Sequence, residues 1–177
     1  MFKWLFGNKD SGGGGEEAGG TKELLVVSRK VPAPPDRAFA VFVDEFASWW
    51  PAKYTFAGEN LGDITIEPKL NGRAIERDKS GSETQWGTVL SFGRPTHLVL
   101  AWQISPTRTV VDHESAASRV DVRFVEAEPG VTEVVVVHRD FPRHGDGWEK
   151  YRQEMGARDG WPMLMDRYAK AVAGEAA

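Results

Sequence analysis

The sequence predicts an α+β fold in which one curved antiparallel sheet of about six to seven strands wraps a long C-terminal helix. Two observations predict it. After Gly160-Trp161-Pro162, the residues Trp161, Leu164, Met165, Tyr168, Ala169 and Val172 recur at helical spacing and form one apolar face. Upstream, from Ile64 to Phe141, alternating apolar and polar segments follow one another across short turn signals. An apolar helix at the end of such a chain must find its cover on the sheet. A sheet closed on a helix can enclose a cavity, so a small-molecule pocket is the leading functional expectation.

The elements follow in order. Glu23 to Val31 is rich in Val and Leu and reads as a first strand ending at Pro32. Pro34 and Pro35 then open a helix over residues 36–43, with Phe39, Phe42, Val43 and Phe46 on one face, and Pro51 stops a second short helical run. Asn60 to Gly62 reads as a loop, Ile64 and Ile66 mark the second strand, and Asn71-Gly72 reads as a hairpin turn into a third strand from Gly72 to Arg77. Thr84 to Phe92 and Thr96 to Ser105 are expected to pair about Arg94-Pro95. In the first of these Trp86, Thr88, Leu90 and Phe92 share a face; in the second, Leu98, Leu100, Trp102 and Ile104 do. After a polar loop, Ser118 to Glu126 and Val131 to Phe141 alternate again, joined by Pro129-Gly130. Trp148, Tyr151 and Met155 suggest a short helix, Gly156 interrupts it, and Asp159 is placed to cap the last helix.

Residues 21–173 are expected to form a single domain, preceded by a disordered Gly-rich tail over 1–20 and followed by a frayed terminus over 174–177. A chain with 41% hydrophobic and 27% charged residues has the composition of a globular domain, and no apolar run reaches the length that spans a bilayer. The net charge of −4, without a Lys/Arg cluster, argues against nucleic acid as a partner. Absence of cysteine removes disulfides, thiolate catalysis and Cys-based metal sites, and fits a cytoplasmic protein. The apolar patch Met1 to Phe6 is too short for a secretory signal. It reads as a frayed end, or as a docking peptide for a membrane surface or a protein groove through Phe2, Trp4, Leu5 and Phe6.

Four stretches carry a family resemblance: Phe46-Ala47-Ser48-Trp49-Trp50-Pro51, Gly72-Arg73-Ala74-Ile75-Glu76-Arg77, Gln85-Trp86-Gly87-Thr88-Val89-Leu90 leading into Leu98-Val99-Leu100-Ala101-Trp102-Gln103, and Gly160-Trp161. In this order and spacing the chain resembles the SRPBCC or START-like helix-grip superfamily, the architecture of the birch-pollen-type allergens. Within it, the chain looks like the branch named for the activator of the heat-shock chaperone ATPase. The resemblance implies a curved antiparallel sheet gripping the C-terminal helix, with a cavity between them. Members of the superfamily bind lipids, sterols and aromatic products, and some cyclise polyketides. The chaperone activators carry a further N-terminal domain with no counterpart in these residues, which argues against chaperone activation.

The candidate site residues follow from faces. Trp86, Trp102, Trp161 and the inward member of the Trp49-Trp50 pair either line an apolar pocket, each indole N–H offering a polar handle, or fill the core. Leu100, Val136 and Met165 share those inward faces and complete the expected ligand-binding set, together with His138, which is in phase with Val134 and Val136. A lone His on an apolar face is either a satisfied core residue or a catalyst. Glu76, in phase with Gly72 and Ala74, is either pocket-facing or exposed; beside His138 it would make an acid/base couple. The group His138, Asp140 and His144 lacks recognised metal-ligand spacing, and no nucleophile-elbow or phosphate-loop motif surrounds Ser115 or Ser118. No metal and no cofactor is expected. The reading is a non-enzymatic carrier or sensor of a small apolar or amphipathic ligand. The alternatives are a cyclase, dehydratase or hydrolase-like enzyme using Glu76 and His138, and a protein-interaction module. Val135 and Val137, apolar on the opposite face of their strand, suggest a homodimer contact.

Overall fold

The structure, a computed structural model, describes residues 23–175. The tail over residues 1–20, with its docking expectation for 1–6, lies outside the described residues. Seven strands form one antiparallel sheet: β1 (Leu25–Val31), β2 (Leu61–Ile66), β3 (Arg73–Asp78), β4 (Glu83–Gly93), β5 (His97–Trp102), β6 (Ser118–Glu128) and β7 (Val131–Arg139). Their order in space is β1-β7-β6-β5-β4-β3-β2, so only β1 leaves its sequence position, crossing to pair with β7. Among the described residues the sheet curls over three α-helices, α1 (Pro35–Val43), α2 (Trp148–Gly156) and α3 (Trp161–Val172).

Pro35 starts α1 because its fixed φ suits the first helical turn, where its missing N–H would have no partner anyway. The second helical run shrinks to a 3-10 turn over Phe46–Ser48. The two expected helices at the end of the chain are α2 and α3, separated at Ala157 to Gly160, with Gly156 still inside α2. Asp159 does not cap α3: Gly160 holds the cap position, with no side-chain cap bond. Only glycine fits there, since a Cβ would lie 2.3 Å from the Met155 carbonyl oxygen. From Gly160 onward Trp161, Leu164, Met165, Tyr168 and Val172 are buried, as the helical spacing predicts. Each contributes about 1.5–3 kcal/mol by leaving water.

Three sheet details depart from simple alternation. β2 begins at Leu61, inside the expected loop. The β2–β3 connection is six residues rather than a two-residue hairpin, closed by the Gly72 N–H on the Lys69 carbonyl (2.9 Å). β4 carries a register shift opposite Ala74/Ile75 and another between Val89 and Ser91. The first shift leaves Trp86 as the extra residue and lets it turn inward; from there Val89, not Thr88, takes the buried face.

The interior has two aromatic ends. Towards α1, Phe39 meets Phe92 and Phe124 (5.5 and 5.0 Å between ring centroids), and Tyr168 meets Phe42 and Trp49 (5.2 and 5.5 Å). At the other end Trp50, Trp86, Trp102 and Trp161 form one cluster. Val135 and Val137 on the outer face of β7 are buried within the chain.

Candidate functional site

Open space lies at the tryptophan end, as a cleft of about 410 Å³. Its walls come from four places in the chain: Trp50 and Tyr54 after α1, Trp102 at the end of β5, the turn from Ile104 to Arg108, and the α2–α3 junction with Tyr151, Met155, Gly160 and Leu164. Of the nine residues expected to bind a ligand, Trp50 and Trp102 line the cleft. Trp49, Trp86, Leu100, Val136, His138, Trp161 and Met165 are buried in the core behind it. The rings themselves fill much of the space that a cavity between sheet and helix would need. Trp50 lies nearly parallel to Trp86 (6.3 Å, 10°), while Trp102 sits 5.7 Å from Trp86 and 5.8 Å from Trp161.

The polar floor of the cleft is a directed pair of hydrogen bonds. Trp102 Nε1–H donates to the Tyr151 hydroxyl (2.8 Å), which donates to the Ile104 carbonyl (2.8 Å). One hydroxyl lone pair is left over, so the floor can accept a bond from a ligand. Burial pushes the Tyr151 pKa up, so the phenol stays protonated at neutral pH. At the rim, Tyr54 O–H donates to the Asp159 carbonyl (2.8 Å), and the Arg108 guanidinium lies 6.0 Å from the Tyr54 ring. Glu154 and Asp159 add carboxylates to the same rim. Sequence reading missed Tyr54 and the Ser105–Arg108 turn. The available signal was the Ser/Thr-rich run around Arg108, which closes on itself through Ser105 and Thr109 and holds Arg108 at φ 59°.

Glu76 and His138 are not brought together. Glu76 is 3% exposed, and its carboxylate accepts the backbone N–H groups of Phe56 (3.0 Å) and Ala57 (2.6 Å), pinning the segment that follows Tyr54. His138 stands four strands away in the sheet, in a different network. Its partners are Trp161 at Nδ1 (3.1 Å) and Ser118 at Nε2 (2.8 Å), and Ser118 Oγ also meets His144 Nε2 (2.8 Å). Burial holds the His138 imidazole well below the ordinary histidine value, with the charge of His144 adding to the effect, and burial lowers His144 as well. A serine between two imidazoles has the parts of an activated nucleophile, but Ser118 and His138 are fully buried and offer no surface to a substrate. Asp140 turns instead to Arg139 (2.9 Å), and among the described residues no group of three or more His, Cys, Asp or Glu side chains is placed to hold a metal.

The family described as Activator of Hsp90 ATPase homolog 1-like protein matches residues 32–173. Among solved structures the chain is similar to an anthrahydroquino-gamma-pyrone synthase, at 30% identity over 84% of this chain and 97% of that one, with a TM-score of 0.59. It is also similar to the self-sacrificing resistance protein CalC from Micromonospora echinospora, at 24% identity over 88% and 97% of the two chains (TM-score 0.61). An Hsp90 activator from Plasmodium falciparum shares the fold at 18% identity over 86% and 96% (TM-score 0.55). No curated protein matches.

Proposed function

Because the chain belongs to the family of activator of Hsp90 ATPase homolog 1-like proteins, we propose that it binds a small, largely apolar ring compound in the cleft between Trp50, Trp102 and Tyr151. The observation that carries this reading is the cleft itself. A volume of about 410 Å³ falls in the range of small-molecule sites, and apolar walls around a few convergent polar atoms are their usual make-up. Trp50 and Trp102 supply flat apolar faces. The Tyr151 hydroxyl, held by Trp102 and Ile104, supplies an acceptor for a ligand O–H or N–H. A bicyclic phenol such as 2-naphthol fits both requirements. Titration of labelled protein with 2-naphthol, followed by NMR, is expected to give saturable shifts centred on the Trp50 and Trp102 indoles. Binding should be tighter than about 1 mM, or roughly 4 kcal/mol. Absence of saturable shifts, or shifts scattered over the surface, would overturn the reading.

A second reading is ring-forming catalysis on an aromatic substrate, favoured by the 30% identity with the anthrahydroquino-gamma-pyrone synthase. On it Tyr151 orients the substrate as a neutral phenol, and the rim carboxylates of Glu154 and Asp159 are the bases within reach of the cleft. The Glu76 and His138 couple plays no part, since the two groups have separate partners.

A further inference from the structure

Behind the cleft wall, the hydrogen-bond chain from Trp161 to His144 has one direction, set by chemistry. An indole N–H can only donate, so the Trp161 bond leaves His138 Nδ1 bare and puts the ring proton on Nε2. Nε2–H then donates to Ser118 Oγ, and the hydroxyl proton of Ser118 is left to donate to His144 Nε2. The Ser118 backbone N–H points at the same nitrogen (3.3 Å). His144 therefore carries its proton on Nδ1, which is buried without a hydrogen-bond partner. Each link is polar and each depends on the one before. The far end, His144, is half-buried rather than sealed, and is the end that solvent protons reach first.

We propose that this Trp161–His138–Ser118–His144 chain is an acid-sensitive latch: one proton taken up at His144 reverses its polarity and releases Trp161, and with it the cleft wall. A proton on His144 Nε2 turns that atom from acceptor to donor. Ser118 Oγ then accepts from His144 and turns its own proton to His138 Nε2, which moves the His138 proton to Nδ1, donor to donor against the Trp161 N–H, and the buried indole loses its acceptor. Trp161 follows Gly160, a cleft wall, and packs on Trp102 and Trp50, two more. The strain therefore ends in the cleft. The depressed proton affinity of both imidazoles agrees with a chain built around neutral rings.

Around these two histidines, the 3-10 turn Glu114–Ala116 brings Glu114 and the preceding His113 against the turn that carries His144. Tyr151 on α2 lies 5.2 Å from the His144 ring and stays protonated. Phe141 lies against His138 (4.1 Å), and β5 presents Trp102 to it (5.6 Å). From β1, the residue paired with His138 is Leu25. The neighbouring charges are engaged elsewhere: Arg119, Arg139 and Arg143 surround Asp140, and Arg152 on α2 donates to the Leu24 carbonyl (2.6 Å).

The consequence for ligand binding rests on the cleft reading above, and the test separates the two. The Trp161 indole N–H resonance and 2-naphthol affinity are followed from pH 7.5 to 5.0 in folded protein. The Trp161 resonance should move with a midpoint below 6.5, and affinity should fall roughly tenfold in step with it, the size of one lost buried hydrogen bond. In His144→Gln, which cannot take up the proton, both changes should vanish. Ser118→Ala, which cuts the chain midway, should uncouple Trp161 from pH even if His144→Gln does not fold. A Trp161 resonance that stays fixed with pH overturns the latch, as does a pH response retained in both variants. A Trp161 shift that vanishes in the variants, with no 2-naphthol binding at pH 7.5, supports the latch and overturns the cleft reading instead.

Discussion

The two aromatic ends of the interior use the same residue types and differ in where their polar atoms go. At the α1 end, Trp49 Nε1–H donates to the Val41 carbonyl (3.1 Å) and Tyr168 O–H to the Ala38 carbonyl (2.7 Å). Val41 O lies in the last turn of α1, where carbonyls lack helical partners, so the indole completes the helix end. At the cleft end, Trp102 donates to Tyr151 and Trp161 to His138, side chain to side chain. A side chain anchored on backbone is placed by a regular element. One anchored on another side chain inherits that partner's freedom and its protonation state. The contrast explains why one end is closed packing and the other carries an open cleft beside titratable groups.

The largest effect should come from emptying the closed end. Trp49→Ala removes a fully buried indole and orphans Val41 O, and is expected to cost about 3–5 kcal/mol in urea denaturation. Met155→Ala, on the half-buried cleft rim, should cost well under half of that. Equal losses would break the comparison.

Acid should weaken the cleft end through its two histidines, beside a fall from His97 on β5, which burial also lowers. Both His138 and His144 have folded pKa values below the ordinary 6.5, so the unfolded chain binds more protons than the folded one just below that pH. Stability is then level above pH 6.5 and falls as pH drops from there towards the folded values. The slope approaches about 1.4 kcal/mol per pH unit for each proton taken up. Carboxylates held low by their partners, such as Glu67 and Glu83, act below their ordinary value of 4.5, outside this window. Urea midpoints at pH 7.5, 6.5 and 5.5 check it, and His144→Gln should flatten part of the fall.

Removing one phenolic oxygen at each end sharpens the contrast further. Tyr168→Phe leaves Ala38 O in its helix and should cost about 0.5–1.5 kcal/mol. Tyr151→Phe strands the Trp102 N–H as a buried donor, and should cost about 1–3 kcal/mol while weakening 2-naphthol. A larger loss for Tyr168→Phe would mean that the cleft end is no looser than the other.

Most of the sheet and the gripping helix could be read from periodicity. Val120, Val122 and Phe124 against Arg119 and Arg123, and the Trp161 to Val172 stripe, have one wet and one dry face, and such patterns encode register directly. β4 could not be read that way. Its two register shifts move Thr88 out and Val89 in, and a bulge depends on the partner strand, which a single segment does not specify. The cleft was half legible. Trp50 and Trp102 stood out as large inward aromatics, but Tyr54, Tyr151 and Arg108 come from separate loops and helices whose convergence is tertiary. Glu76 had the burial of a site residue without the partner expected for it. Its carboxylate serves two backbone amides, a use that leaves no trace in spacing.

Arg108 gives the smallest and most discriminating test, because at this one position stability and binding should move in opposite directions. It sits at φ 59° in the turn closed by Ser105 and Thr109, a conformation that costs an ordinary L-residue about 1–2 kcal/mol and glycine almost nothing. Part of the gain from Arg108→Gly is returned through the freer unfolded chain, so the variant should be more stable by about 0.5–1 kcal/mol. Strain kept at the mouth of a cleft calls for a reason in the side chain, and the Arg108 guanidinium is the cation among the residues that line it. Arg108→Gly should therefore leave 2-naphthol nearly unchanged while weakening its 6-sulfonate by several-fold. Equal affinity of the two proteins for the sulfonate would place Arg108 outside the site and leave its backbone strain without a functional account.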